Sequence, residues 1–64
     1  MKTEFKAGDK VSFLWGTAKV YCTVLELYGE GIRARALLEL TPEVSGEVVD
    51  ERTTVALPLE EVMP

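Results

Sequence analysis

Residues 18 to 40 read AKVYCTVLELYGEGIRARALLEL, and this stretch decides the fold. Two long apolar segments flank Gly29 and Gly31, which can take the positive φ that a tight chain reversal requires. Residues 32 to 40 have a high helix propensity, but they match residues 18 to 28 when the chain is folded back on itself. We therefore predict an antiparallel hairpin rather than a helix.

A three-residue loop would place Tyr28 opposite Ile32 and would sort the hairpin into two faces. One face is apolar and places Val20, Cys22 and Val24 opposite Leu40, Leu38 and Ala36, in that order. The other face is mixed and consists of Lys19, Tyr21, Thr23, Leu25, Leu27, Arg33, Arg35, Leu37, Glu39 and Thr41. Apolar side chains on both faces require the hairpin to bend, so we expect Leu25 and Leu27 to turn inward near its tip.

The segments on either side of the hairpin extend the sheet. Residues 10 to 15 follow a turn-forming Gly-Asp pair and predict a first strand, whereas residues 52 to 57 predict a fourth. Pro58 ends the fourth strand, and residues 59 to 62 fit one 3₁₀ turn before a short closing strand.

The connection between the third and fourth strands is rich in loop-forming residues. Residues 41 to 47 contain proline, serine, glycine and two glutamates, which predicts a solvated loop. Val48 and Val49 are expected to extend this loop into a short strand.

This order of elements resembles the SH3-like small-barrel superfamily. The motifs that carry the likeness are GDKV at residues 8 to 11 and LPLEEV at residues 57 to 62, and the likeness covers nearly the whole chain. It implies an all-β fold in which residues 1 to 64 form a single five-stranded SH3-like small barrel with a 3₁₀ turn before the last strand. The outline is similar to the small photosystem I barrel subunit, the variable chain of ferredoxin-thioredoxin reductase and ribosome-associated KOW modules. Because such folds host many unrelated activities, no family's functional residues are transferred.

Composition limits the function classes. The chain has 64 residues, of which 47% are hydrophobic and 28% charged, as in an ordinary globular protein. Its net charge of -4 argues against general affinity for nucleic acid, because duplex binding depends on neutralising phosphates. Six of the seven basic residues nevertheless lie within residues 1 to 38, which leaves room for a localised basic surface.

No metal, cofactor or membrane segment is expected. The chain lacks histidine and has one cysteine, which removes an internal disulfide and the commonest zinc ligand. Its acidic residues do not follow the spacing of a calcium-binding loop. Residues 1 to 5 lack the apolar run of a signal peptide, and no stretch is long enough to span a membrane, so we expect a cytoplasmic protein.

Two groups of side chains are candidate binding residues, and each also has a purely structural interpretation. Arg33 and Arg35 should project to one side of a strand, where they could grip a carboxylate, a phosphate or an acidic peptide. Alternatively, they screen apolar neighbours and pair with Glu26, Glu30 or Glu39. Trp15 belongs to an aromatic cluster with Phe13 and Tyr21; it either anchors a partner or fills the core, and we favour the core.

Other candidates point to structural roles. Cys22 lies between two valines of the apolar face, which is typical of a small buried hydrophobe rather than a reactive thiol. Glu26 also falls on this face, where burial of its charge would be unfavourable, although its place near the hairpin tip favours contact with solvent. The acidic residues of the last third form either a solvated exterior, which we favour, or a docking surface for a basic partner. They are Glu43, Glu47, Asp50, Glu51, Glu60 and Glu61.

These observations favour a non-enzymatic protein-interaction or accessory module that binds a protein partner or a second copy of itself. The chain has no histidine, no serine or cysteine with a plausible base, and no glycine-rich phosphate loop, so no catalytic residue is predicted. The predicted binding residues are Trp15, Tyr21, Leu25, Leu27, Arg33, Arg35 and Leu37. One alternative is single-stranded RNA or DNA binding, with Trp15 or Tyr21 as a stacking platform. Another is an enzyme whose active site lies at an oligomer interface.

Overall fold

The computed structural model describes residues 5 to 64, apart from the side chain of Glu47, and contains one sheet of four antiparallel strands in the order β1-β2-β3-β4. The strands are β1 (Lys10–Trp15), β2 (Ala18–Tyr28), β3 (Arg35–Leu40) and β4 (Thr53–Pro58). A short helix α1 (Pro42–Ser45) and three 3₁₀ turns (Gly31–Arg33, Gly46–Val48 and Leu59–Glu61) connect or follow them. We call Gly31–Arg33 the tip turn and Leu59–Glu61 the closing turn. Residues 1 to 4 of the predicted domain lie outside the described residues.

The predicted bounds of β1 and β2 and the antiparallel hairpin are confirmed, but the predicted start of β3 and the hairpin register are wrong. Tyr28 lies opposite Arg35 rather than Ile32. The reason is the tip turn, in which Arg33 N–H donates to the Glu30 carbonyl at 3.0 Å. The tip turn contains Ile32 and Arg33, which the predicted three-residue loop left in β3. Val24 consequently lies opposite Leu38, a shift of two positions that keeps every inward side chain inward.

A β-bulge interrupts the pairing of β2 with β3. Val24 lies opposite Leu38 and Glu26 opposite Leu37, so Leu25 is the extra residue. Beyond the bulge the two faces of β2 exchange, which places Leu27 opposite Ala36 on the core side. The expected inward turn is therefore only partly realised: Leu27 faces the core side but stays 36% exposed, and Leu25 is half-buried in the bulge.

The core lies against one face of the sheet. Six inward side chains of β2 and β3 are at most 3% exposed, and they belong to the predicted apolar face: Val20, Cys22, Val24, Ala36, Leu38 and Leu40. Buried with them are Val11, Phe13 and Val62. Strand β4 adds Val55, which pairs with Leu38, and Leu57, which pairs with Ala36, and both pack against this cluster. Burying one such aliphatic side chain contributes about 1.5 to 3 kcal/mol.

The prediction of a closed five-stranded barrel is wrong, because the four strands form an open sheet. After the closing turn, the predicted fifth strand is reduced to one bridge between Met63 and Ser12, with two backbone hydrogen bonds of 2.8 Å each. Pro64 has no N–H with which to lengthen this pairing. The open side of the core is covered instead by side chains from outside the strands, namely Phe5, Val49 and Leu59.

The connection between β3 and β4 is more ordered than the predicted loop. It forms α1 and a 3₁₀ turn that ends at Val48, so the short strand predicted for Val48 and Val49 is wrong. Ser45 Oγ donates a 2.6 Å hydrogen bond to the Tyr21 carbonyl. This bond holds α1 against β2 beyond the last β2–β3 pair, Thr23 and Glu39.

We predict that Gly29→Ala destabilises the fold more than Gly16→Ala does. Both glycines have positive φ, +80° and +67°, where an alanine costs about 1 to 2 kcal/mol. A Cβ at Gly29 would also press on the Arg33 carbonyl group, approaching its carbon to 3.0 Å, whereas nothing lies within 4 Å of a Cβ at Gly16. Urea denaturation should show an additional loss of about 1 kcal/mol or more for Gly29→Ala. Equal losses would contradict the packing of the tip turn against Gly29.

Candidate interaction surface

The face of the sheet turned away from the core is the candidate surface, which we call the outer face. Strand register places its β2 and β3 members side by side, because Thr23 pairs with Glu39, Glu26 with Leu37 and Tyr28 with Arg35. These residues are exposed or half-buried, in contrast to their inward neighbours. The outer face of β2 and β3 consists of Lys19, Tyr21, Thr23, Glu26, Tyr28, Arg35, Leu37 and Glu39.

The structure divides the predicted binding residues between different places. Tyr21, Arg35 and Leu37 share the outer face, and Leu25 is half-buried in the bulge beside them. Leu27 lies on the core side of β2. Arg33 and Trp15 belong to neither group, and each is described below.

The expectation that Arg33 and Arg35 project from one strand is wrong. Arg33 ends the tip turn, whereas Arg35 begins β3, opposite Tyr28 on one side and Pro58 on the other. The alternative of pairing with nearby glutamates is also wrong. Among the side chains that the structure describes, the only ion pair joins Arg52 Nε to Glu39 Oε2, and both arginines of the predicted pair are exposed. The Arg35 guanidinium is therefore free to bind an anion.

Two tyrosines give the outer face its apolar and aromatic character. Tyr21 is 54% exposed, and Lys19 Nζ lies 5.8 Å from the centroid of its ring, a cation–π contact. Tyr28 is 43% exposed and lies opposite Arg35. Sequence reasoning missed Tyr28, because strict alternation places it with Val20, Cys22 and Val24 on the core side. Only the bulge reverses its direction, and no local signal in the sequence marks the bulged residue.

The favoured assignment of Trp15 to the core is wrong, because its side chain is 66% exposed. Alternation does place it on the side of Phe13, and the two rings make an edge-to-face contact with centroids 6.5 Å apart. β1, however, runs past the end of the core, and Trp15 pairs with exposed Ala18 at the β1–β2 turn. Trp15 is thus separate from the outer face.

We predict that the fluorescence of Trp15, the only tryptophan, resembles that of a tryptophan in water. Acrylamide should quench the native protein almost as efficiently as the urea-unfolded chain, because the ring is mostly exposed. N-acetyltryptophanamide provides the fully exposed reference. A blue-shifted emission that acrylamide hardly quenches would show instead that Trp15 is buried in the core.

Cys22 is a buried structural residue, as the sequence indicates. Its side chain is fully buried, and Sγ lies 3.7 Å from the Val11 carbonyl oxygen. Burial raises the pKa of the thiol from its ordinary 9.0 to about 11. The thiol therefore stays protonated near neutral pH, where it is a poor nucleophile.

This raised pKa predicts a pH dependence of stability. The folded protein holds the thiol proton more tightly than the unfolded chain, so this contribution is fully present below pH 9 and is lost as the pH rises towards 11. The free energy of unfolding of the wild type should fall more steeply across this range than that of Cys22→Ala, which lacks the titrating group. Parallel curves from urea titrations at each pH would contradict the burial of the thiol.

Charge is distributed unevenly around the outer face. Lys19 and Arg35 lie on it without ion pairs to any described side chain, and Glu39 is neutralised by Arg52. Glu26 lies opposite Leu37 and is exposed, so its expected place on the apolar face is wrong. Glu26 therefore leaves one exposed carboxylate on the outer face, and further exposed carboxylates lie at the hairpin tip, on α1, on the connection before β4 and on the closing turn. The outer face thus presents two cations, Lys19 and Arg35, beside its tyrosines, and Glu26 is its one carboxylate without an ion pair among the described side chains.

The described part of the chain contains no cluster of three or more acidic or cysteine side chains that could hold a metal ion. None of its helices is long and apolar enough to cross a membrane.

No protein-family model matches the chain, and comparisons with curated proteins and with solved structures find no match either. The resemblance to the SH3-like superfamily therefore stays a prediction. Conclusions about function depend on the geometry of the surface itself.

Proposed function

We propose that this chain is a non-enzymatic protein-interaction module whose outer face binds an acidic segment of a partner protein. The observation that carries the proposal is the cross-strand pair of Tyr28 and Arg35, with Tyr21 and Leu37 on the same face. Both tyrosines are about half-exposed and Arg35 has no carboxylate partner within the described residues. The proposed setting is the cytoplasm, with which the protonated thiol of Cys22 is compatible.

Each part of this surface suits a protein ligand. Tyrosine and arginine are enriched among the residues that contribute most to protein interfaces, because they combine a large contact area with hydrogen-bonding groups. The Arg35 guanidinium can bind a carboxylate with two parallel hydrogen bonds. All four residues lie on paired strands, so their backbone is already ordered and a ligand has only to order their side chains.

Single-stranded nucleic acid is the second candidate, because the same tyrosines could stack on bases. Two observations favour the protein ligand. Lys19 occupies the space over the Tyr21 ring, where a base would stack. The outer face of β2 and β3 carries only two cations, Lys19 and Arg35, whereas binding of a polyphosphate chain depends on neutralising several phosphates.

Selection of peptides tests the proposal. A random peptide library displayed on phage is selected on the wild type, and the enriched peptides are synthesised and titrated by fluorescence anisotropy. We expect the peptides to combine aspartate or glutamate with an apolar residue. Arg35→Glu and Tyr28→Ala should each weaken binding roughly tenfold or more, as for residues central to an interface. Lys6→Glu is the matched charge reversal, because Lys6 is exposed and precedes the sheet.

Two results would contradict the proposal. One is a set of peptides whose affinity is the same for the wild type and Arg35→Glu. The other is tight binding of fluorescein-labelled oligouridylate or oligothymidylate at low salt that weakens steeply as salt is added, which would assign the outer face to nucleic acid instead.

A further inference from the structure

A second apolar surface lies at the end of the molecule where the tip turn meets the closing turn. The two turns are joined by a 2.9 Å hydrogen bond from Leu59 N–H to the Ala34 carbonyl. Beside this bond is a groove of about 470 Å³, which we call the end groove. Its apolar lining consists of Phe5, Ile32, Ala34, Pro58, Leu59 and Val62. Glu60 is the one ionisable residue among the described residues that line it.

Ile32, on the rim of the end groove, is 99% exposed. A single exposed aliphatic side chain is common on protein surfaces, but Ile32 lies beside a concave surface whose side chains are mostly apolar and which could bury an isoleucine. Ile32 cannot fill this groove from its own turn, because the tip turn directs it into solvent. A second molecule is needed to cover it.

Charges around the end groove are complementary to each other. Arg33 is the next residue of the tip turn and is exposed, and neither Arg33 nor Glu60 forms an ion pair with any side chain that the structure describes. Each molecule therefore presents the projecting Ile32 next to the cation Arg33. Beside them lies the end groove, with the anion Glu60 in its lining. A two-fold interface requires this arrangement, because the same patch has to fit itself.

We propose that two copies of this chain associate through their end grooves about a two-fold axis. Each copy inserts Ile32 into the groove of the other and places Arg33 beside the Glu60 of the other. The outer face takes no part, so this inference is independent of the proposed function. Stable interfaces bury about 800 Å² per partner, roughly a sixth of the 4738 Å² that this chain exposes. A surface centred on one groove is smaller, and we expect a dimer whose population depends on concentration.

Sedimentation equilibrium over a range of protein concentrations tests the proposal. The wild type should dimerise, and Ile32→Asp should stay monomeric at the highest concentration. Val48→Asp is the matched control, because Val48 is also exposed, at 48%, and lies in a different turn. It should dimerise like the wild type. Circular dichroism checks the fold of each variant. We expect it to be intact, because neither side chain is buried in the core.

Exchange of the two charges provides the sharper test. Arg33→Glu and Glu60→Arg should each weaken dimerisation roughly tenfold, because each homodimer then brings two like-charged pairs together. An equimolar mixture of the two variants should regain the affinity of the wild type, because both pairs of the heterodimer are again oppositely charged. A structural defect in either variant would not be repaired by mixing.

Several results would overturn the proposal. A wild type that stays monomeric at every concentration would do so, as would a dimer that Ile32→Asp leaves unchanged. A dimer lost in Arg35→Glu but kept in Ile32→Asp would assign self-association to the outer face. Dimerisation that appears only after residues 1 to 4 are removed would assign the end groove to the chain's own first residues.

Discussion

Burial of the inward side chains of β2 and β3 is the constraint on which the rest of the structure depends. Their six apolar residues are at most 3% exposed, although the chain has only 64 residues with which to cover them. A domain of this size removes only about 60% of its unfolded surface from water, so every covering side chain matters. Because the sheet stays open, this covering comes from segments outside the strands. Phe5, Val49 and Leu59 supply it, which determines where the β3–β4 connection and the closing turn lie.

The bulge at Leu25 connects the core to the outer face. β2 is 11 residues long, and strict alternation along its whole length would direct Leu27 to solvent and Tyr28 towards the core side. One extra residue reverses both directions. The same local irregularity thus adds an apolar side chain to the core side and produces the Tyr28–Arg35 pair on which the proposed function depends.

Distribution of charge, rather than its total, determines what this acidic chain can bind. Cations lie on the sheet and the tip turn, and the Arg52–Glu39 pair removes one carboxylate from the outer face. Glu60 and Glu61 lie on the closing turn, beside apolar rather than basic neighbours. The two proposed surfaces share no residue: the outer face is centred on Arg35, and the end groove lies between Ile32 and Glu60.

Alternation of apolar and polar residues was sufficient to predict the bounds of β1 and β2, the hairpin, the inward residues of β2 and β3, and the burial of Cys22. This pattern is local, because a strand places successive side chains on opposite faces whatever the rest of the chain does. It even survived a wrong register, since a shift of two positions keeps each residue on its face. Site residues that depend on this alternation alone, such as Tyr21 and Leu37, were predicted correctly as members of one face.

Only the tertiary structure decided the tip turn, the bulge, the exposure of Trp15 and the open edges of the sheet. Each depends on how far the core extends and on which distant side chains cover it. Trp15 has the alternation of a core residue but lies beyond the end of the core, and Tyr28 changes face because packing against β3 favours one extra residue in β2. These outcomes depend on which packing arrangement of the whole chain is most stable. The local pattern of apolar and polar residues is the same in every such arrangement and therefore does not distinguish them.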